Sequence, residues 1–279
     1  MTGSKPSSQV LADFGIEGVR PVLLPGGEGR SWRAGDVVLK PAGSEAEAQS
    51  VAEVFSALPD SGAVRVPRPV RTMSGAWVSG GWVAWSWLPG ETATGRWPEI
   101  IAAGSALHRL LADVPRPAFL DTRDDVWAIG DRVAWGEQAL VIEHDRFRAT
   151  AQALAARLVP CREPSQLVHG DLTGNVLLLD GLPPAVIDMS RYWRPPSWAL
   201  AVVAADALAW HGARPEVVEL LPGPEPVAMV ARATVYRLVT SDRHAAGLGS
   251  ERRSYLAHNG SAYDRVLSVL EALTPRAVR

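Results

Sequence analysis

Three oxygen-bearing side chains stand in an order that could manage a metal-bound phosphate. Asp171 and Asn175 share the short stretch His169-Gly170-Asp171-Leu172-Thr173-Gly174-Asn175, and Asp188 follows in Ile187-Asp188. Between them lie an apolar run at 176–179, a turn at Asp180-Gly181 and a second run at 185–188, the pattern of a hairpin. A hairpin folds Asp188 back toward the Asp171 loop, so that two carboxylates and an amide oxygen meet at one place. Hard oxygen ligands of this kind suit Mg²⁺ carrying phosphates. Phosphoryl transfer needs little else beyond a base near the incoming hydroxyl and a cation on the phosphates. The cation is suggested by composition. Of 28 basic residues only Lys5 and Lys40 are lysine, and the rest are arginine. Lys5 sits in a polar tail, whereas Lys40 ends the apolar run Val37-Val38-Leu39-Lys40, where an ammonium is retained in a chain that otherwise uses guanidinium.

The elements that must position these groups fall into two parts. Up to residue 88 the pattern is mostly strands: 19–24, then 30–33 and 37–40 around the turn Ala34-Gly35-Asp36, then 66–73 and 81–87. One helix is predicted over 44–58, with Ser44 as N-cap and Val51, Val54, Phe55 and Leu58 on its apolar face. Leu88-Pro89-Gly90 breaks the pattern as a hinge. Beyond it helices are predicted at 97–112, 137–158, 198–212, 226–246 and 252–273, interrupted by the strand-rich island at 166–189. The tryptophans at 77, 82, 85 and 87 read as core and hinge packing, and His108 and His211 as structural side chains in helices.

Composition narrows the class. A chain of 279 residues with 47% apolar and 21% charged residues is globular. The lone Cys161 excludes an intrachain disulfide framework or a cysteine-rich zinc site. A net charge of −2 argues against nucleic-acid binding by bulk charge. The most apolar stretch, 198–210, contains Asp206 and is shorter than the roughly 20 residues a membrane span needs. No apolar leader opens the sequence, so a soluble cytoplasmic protein is expected.

On the motif at 169–175, the Ile187-Asp188 pair and the spacing between Asn175 and Asp188, the sequence resembles the aminoglycoside phosphotransferase family, the small-molecule branch of the protein-kinase-like fold. The stretch 26–32 is similar to the family's nucleotide loop, 37–40 to its lysine-bearing strand, 85–90 to its hinge and 105–110 to the helix after it. The resemblance implies an α+β fold of two lobes, a small β-rich lobe over 1–88 and a larger, mainly helical lobe over 89–279. It implies an ATP- and Mg²⁺-dependent phosphotransferase acting on a small-molecule hydroxyl. Asp171 would be the base or orienter of that hydroxyl, and Asn175 and Asp188 would hold the metal. Lys40 would contact the phosphates, steadied by Glu47. The backbone at Gly26, Gly27, Gly29 and Ser31 would cover the phosphates, and Ser86 and Leu88 would meet adenine. His169 would brace its loop.

Two stretches depart from the family pattern. Only three residues separate Asp171 from Asn175, one fewer than usual, and Gly174 is placed to supply the backbone turn that compensates. The aspartate expected near the start of the following helix is missing, with Asp206 its nearest replacement. A non-catalytic nucleotide-binding protein or scaffold of the same fold is therefore the alternative. Charge speaks on the acceptor: between 196 and 279 nine arginines face eight acids, Arg237, Arg243, Arg252 and Arg253 among them. A polycationic aminoglycoside calls for a carboxylate-rich wall, so such an acceptor is not expected.

Overall fold

The computed structural model describes residues 5–25 and 29–273, so Gly26 and Gly27 of the expected nucleotide loop lie outside the described residues. The first part opens on a short helix, α1 (Ser8–Asp13), whose Ser7 side chain caps the amide of Val10. An antiparallel sheet follows: β1 (Val22–Leu23), β2 (Trp32–Ala34), β3 (Val37–Pro41), β4 (Pro69–Val70), β5 (Val78–Ser79) and β6 (Trp82–Ser86). Its spatial order is β1-β2-β3-β6-β4, with β5 also paired to β6. Val10, Leu11 and Phe14 of the α1 segment pack on Ala34, Leu39, Trp82 and Ala84 to form a small core. The expected strand over 66–73 is reduced to β4, because Pro67 and Pro69 remove two ladder donors.

Helix α2 (Glu45–Ala57) lies where the sequence placed it. Its buried face of Ala48, Val51, Ala52 and Phe55 follows the helical period, and Val51 and Phe55 belong to the large core of the rest of the chain. That larger part contains β7 (Glu91–Thr92), α3 (Trp97–Leu110), α4 (Val126–Ala134), α5 (Asp145–Ala155), β8 (Gln166–His169), β9 (Val176–Leu178), β10 (Ala185–Val186), β11 (Arg191–Arg194), α6 (Pro196–Trp210), α7 (Pro226–Ala246) and α8 (Arg252–Leu273). β9 pairs with both β10 and β7, and β11 pairs with β8.

The predicted helix over 137–158 is shortened to α5. Gly136, at φ 74°, turns the chain after α4, and the amides of Glu143 and His144 bond the carboxylate of Asp242, which is fully buried in α7. A tertiary contact has taken donors that a helix would have used. Every residue of α6 from Ser197 to Ala209 is buried, which is the expected fate of a helix apolar all round. Its alanines and valines let α3, α7 and α8 pack around it.

One side chain ties the two parts together. Arg65 pairs with Ala185 through backbone bonds to Pro184 O and from Val186 N, and its guanidinium donates to Pro183 O and Pro89 O. The sheet lobe is thereby pinned to the hairpin that carries Asp188.

Candidate active site

The loop at 169–175 is held by its own polar atoms. Asp171 N donates to His169 Nδ1 at 3.1 Å, so the other ring nitrogen, Nε2, donates to Ile187 O at 3.0 Å. The amide of Ile187 in turn bonds Asn175 O at 2.9 Å. These bonds bring Asp171, Asn175 and Asp188 to one place, as the hairpin pattern requires. Both ring nitrogens of His169 are engaged, and the ring is fully buried, so it braces the loop. The short connection closes through Gly174, whose φ of 84° is available to glycine at little cost. Gly170 serves packing, since a Cβ there would lie 2.4 Å from the ring of Tyr192.

Behind His169 stands a second buried imidazole. His108 Nε2 accepts from His169 N at 3.2 Å, which leaves its Nδ1 buried without a protein partner. Burial, and then the nearby His169 ring, push His108 down to about 3. Unfolded histidines take up a proton near 6.5. Below that pH the unfolded chain binds a proton that folded His108 refuses, so stability falls as pH drops from about 6.5 toward 3, by about 1.4 kcal/mol per pH unit. Urea unfolding at pH 7.5 and 5.0 should show this loss in the wild type and a smaller loss in His108→Gln. Equal losses in both proteins would remove His108 as the source.

The side chain of Asn175 is fixed through its amide nitrogen. Its Nδ2 donates to Asp171 O at 2.7 Å, which leaves Oδ1 with no protein donor among the described residues. Asp188 is the only non-glycine residue at positive φ among the described residues, at 54°. A left-handed backbone is tolerable for Asp but uncommon, and it is held here by the hairpin end. Burial works to raise the Asp188 carboxyl, yet the Lys40 ammonium outweighs it and holds the group below its usual range. The ammonium lies 3.0 Å from Asp188 Oδ1. No group of three or more His, Cys, Asp or Glu side chains able to hold a metal is present among the described residues. An amide oxygen plus one carboxylate nevertheless fits Mg²⁺, which keeps several waters and shares substrate phosphates.

The structure corrects the expectation for Glu47. It bonds Arg191 of β11, and Lys40 pairs with Asp188. The Asp188 carboxylate is the anion within reach of Lys40, and Arg191 reaches Glu47 across the two lobes. At the hinge, Ser86 N is bonded to Arg68 O and Trp87 N to Asp36 O, while Leu88 N has no protein acceptor among the described residues. Of the hinge amides at 86–88, only that of Leu88 is left open to a ligand. Gly29 sits at φ 66°, and the buried Ser31 receives Leu24 N on its carbonyl.

One residue of this site entered the sequence reading only as one of four arginines able to favour a neutral or anionic acceptor. Arg237, in α7, donates Nε to Asp206 Oδ1 at 2.9 Å and Nη2 to Asp206 Oδ2 at 2.7 Å. The same Nη2 donates to Asp171 Oδ1 at 2.5 Å. Asp206 is thus tied to Asp171 through a cation rather than facing it directly. The only sequence signal was the surplus of arginine after residue 196.

Comparison with solved structures supports the architecture. A microcompartment-associated aminopropanol kinase superposes with a TM-score of 0.64 at 16% identity, covering 94% of this chain and 97% of that one. The spectinomycin phosphotransferase APH(9)-Ia, in an AMP-bound complex, gives 0.61 at 12% identity, covering 96% and 97%. Choline kinase LicA from Streptococcus pneumoniae gives 0.56 at 9% identity, covering 95% and 97%. These likenesses establish the two-lobed, kinase-like fold. No curated protein matches by sequence. The profile of the phosphotransferase enzyme family (APH) matches residues 25–210, a span that holds Lys40, the 169–175 loop and Asp188, and the chain belongs to that family.

Proposed function

We propose that the protein transfers the γ-phosphoryl group of ATP, with Mg²⁺, to a hydroxyl of a small molecule that is not a polycationic aminoglycoside. The observation that carries this reading is the convergence of Asp171, Asn175 and Asp188 on one braced loop and hairpin, with Lys40 3.0 Å from Asp188. Neighbours of the same fold include kinases named for aminopropanol, amicoumacin and choline, which agrees with a small hydroxylated acceptor.

In this reading Asp171 Oδ2, the oxygen not bonded to Arg237, receives the hydroxyl proton as the acceptor oxygen bonds to phosphorus. The bond from the γ-phosphorus to the bridging oxygen breaks, and ADP leaves with the electron pair. Asn175 Oδ1 and Asp188 would hold Mg²⁺, which supplies charge neutralisation at the phosphates. Lys40 leaves Asp188 for the phosphates, Gly26, Gly27, Gly29 and Ser31 cover them, and Leu88 N meets adenine between lobes divided near residue 88.

The test is ADP release with ATP, Mg²⁺ and a panel of hydroxylated compounds, with mass spectrometry of the product. A new phosphate ester supports the reading, whereas ATP binding without turnover of any compound points to a non-catalytic nucleotide binder. Lys40→Arg gives a sharper check. It keeps the charge but replaces a compact ammonium by a planar fork. ADP release should fall at least about tenfold at a phosphate site. An unimpaired Lys40→Arg protein would take Lys40 out of the chemistry.

A further inference from the structure

Next to Asp171 an open pocket of about 360 Å³ is walled by Trp127, Trp210, His211 and Tyr255, with Asp206 and Arg237 also in its lining. His211 was expected to be structural, yet it faces this space. Asp206 is the only acid in the lining, and both of its oxygens are taken by Arg237. Burial alone would lower the Arg237 pKa, but the carboxylates of Asp206 and Asp171 hold it well above its usual value, so the guanidinium stays charged. Three of its contacts are accounted for by Nε and Nη2. Nη1 has no protein acceptor among the described residues, and the side chain is 14% exposed and lines the pocket, so Nη1 can donate to a molecule there.

The charge pattern is what matters for the acceptor. Asp171 and Asp206 without Arg237 would form a doubly negative corner that welcomes an ammonium. With Arg237 between them, an ammonium in this pocket would meet a fixed cation, and the one carboxylate oxygen that Arg237 leaves free there, Asp171 Oδ2, is engaged by the reacting hydroxyl. An oxygen placed there accepts a charge-assisted hydrogen bond instead. The aromatic walls add flat apolar faces on which a ring or polyol carbon skeleton can lie.

We propose that Arg237 selects the acceptor: fixed by Asp206 and bonded to Asp171, it excludes an ammonium and offers Nη1 to an oxygen of a neutral or anionic polyhydroxylated compound. This rests on the phosphotransferase reading above for the identity of the pocket's occupant. Arg237 is in this sense a positioning and specificity residue, acting on the acceptor and on Asp171.

The test measures binding and turnover separately. Ligand-observed NMR titrations with Mg·ADP present compare glycerol, myo-inositol and glycerate with 1-amino-2-propanol and choline. Wild-type protein should bind the oxygen-only probes at least about tenfold more tightly than the ammonium probes. Arg237→Gln should shift that ratio at least about tenfold toward the ammonium probes while Mg·ATP affinity stays within about twofold, and Arg237→Lys should keep the wild-type order. Arg237→Gln leaves Asp206 buried and unpaired, so the double variant Arg237→Gln, Asp206→Asn covers a folding failure; it too should gain preference for ammonium probes, through the freed Asp171. A wild type that prefers ammonium probes, a uniform loss across all probes in the variants, or no binding of any probe overturns the proposal. ADP release is read in parallel. Binding that follows the charge rule with no turnover of any probe refutes the phosphotransferase reading and leaves the role of Arg237 standing.

Discussion

Asp171→Ala is expected to cut phosphoryl transfer by a factor of about 10² or more while leaving ATP affinity nearly unchanged. On the proposed mechanism the variant removes the group that takes the hydroxyl proton, and with it the oxygen that aims the acceptor. It does not remove a support of the fold, because Arg237 keeps both of its bonds to Asp206. The loop also keeps its bracing, since His169 holds it through the backbone amide of residue 171. Measured ADP release and ATP titrations on the same preparation separate the two effects. Transfer at near wild-type rate would place the chemistry elsewhere.

The second large effect is expected at Asp188. Asp188→Asn keeps the shape and a residue type that tolerates the left-handed backbone at φ 54°, but removes the anionic ligand. Calorimetric titration of ATP should then show no strengthening by Mg²⁺, where the wild type shows it clearly. In EDTA the order should reverse. Lys40 loses the carboxylate 3.0 Å away and is free for the phosphates, so metal-free ATP should bind the variant at least as well as the wild type. Equal Mg²⁺ enhancement in the two proteins would sink the metal assignment.

Much of this site was legible because its parts are local. Asp171, Asn175 and Asp188 sit on one loop and one hairpin, and the hairpin signal was strong enough to predict their meeting. Lys40 stood out by its rarity and by its place at the end of an apolar run. Contacts made across long sequence separations were not legible. Strand β11 exists by pairing with β8, and nothing in Arg191-Tyr192-Trp193-Arg194 announces that partner. Helix α4 carries a readable N-cap in Asp125, whose side chain accepts from Trp127 N and Ala128 N, but no helix was read there, and the one read next, over 137–158, begins only at Asp145. There the amides of Glu143 and His144 go to Asp242, a partner no local pattern reveals. Counting charge pointed at four arginines, and the structure distinguishes three of them. Arg243 is bonded to Glu143 and Arg252 to the carbonyls of Ala245 and Ala246, whereas Arg237 reaches Asp171. Composition can suggest that a cation is present near the acceptor, but only packing says which one.

The bonds made by Arg65 set the mechanics of the cleft. Its backbone is stitched to Pro184 and Val186, and its guanidinium to Pro183 and Pro89. Pulling the sheet lobe straight away from the helical lobe would break all of these at once, along with the pair between Glu47 and Arg191. A rotation about residue 65 strains the bonds of Arg65 itself far less, because that point hardly moves. Lys40 lies on β3 of the sheet lobe, and Asp188 follows the hairpin that Arg65 grips. The seam between the two parts is therefore stiffest against straight separation, and Lys40 and Asp188 face each other across it.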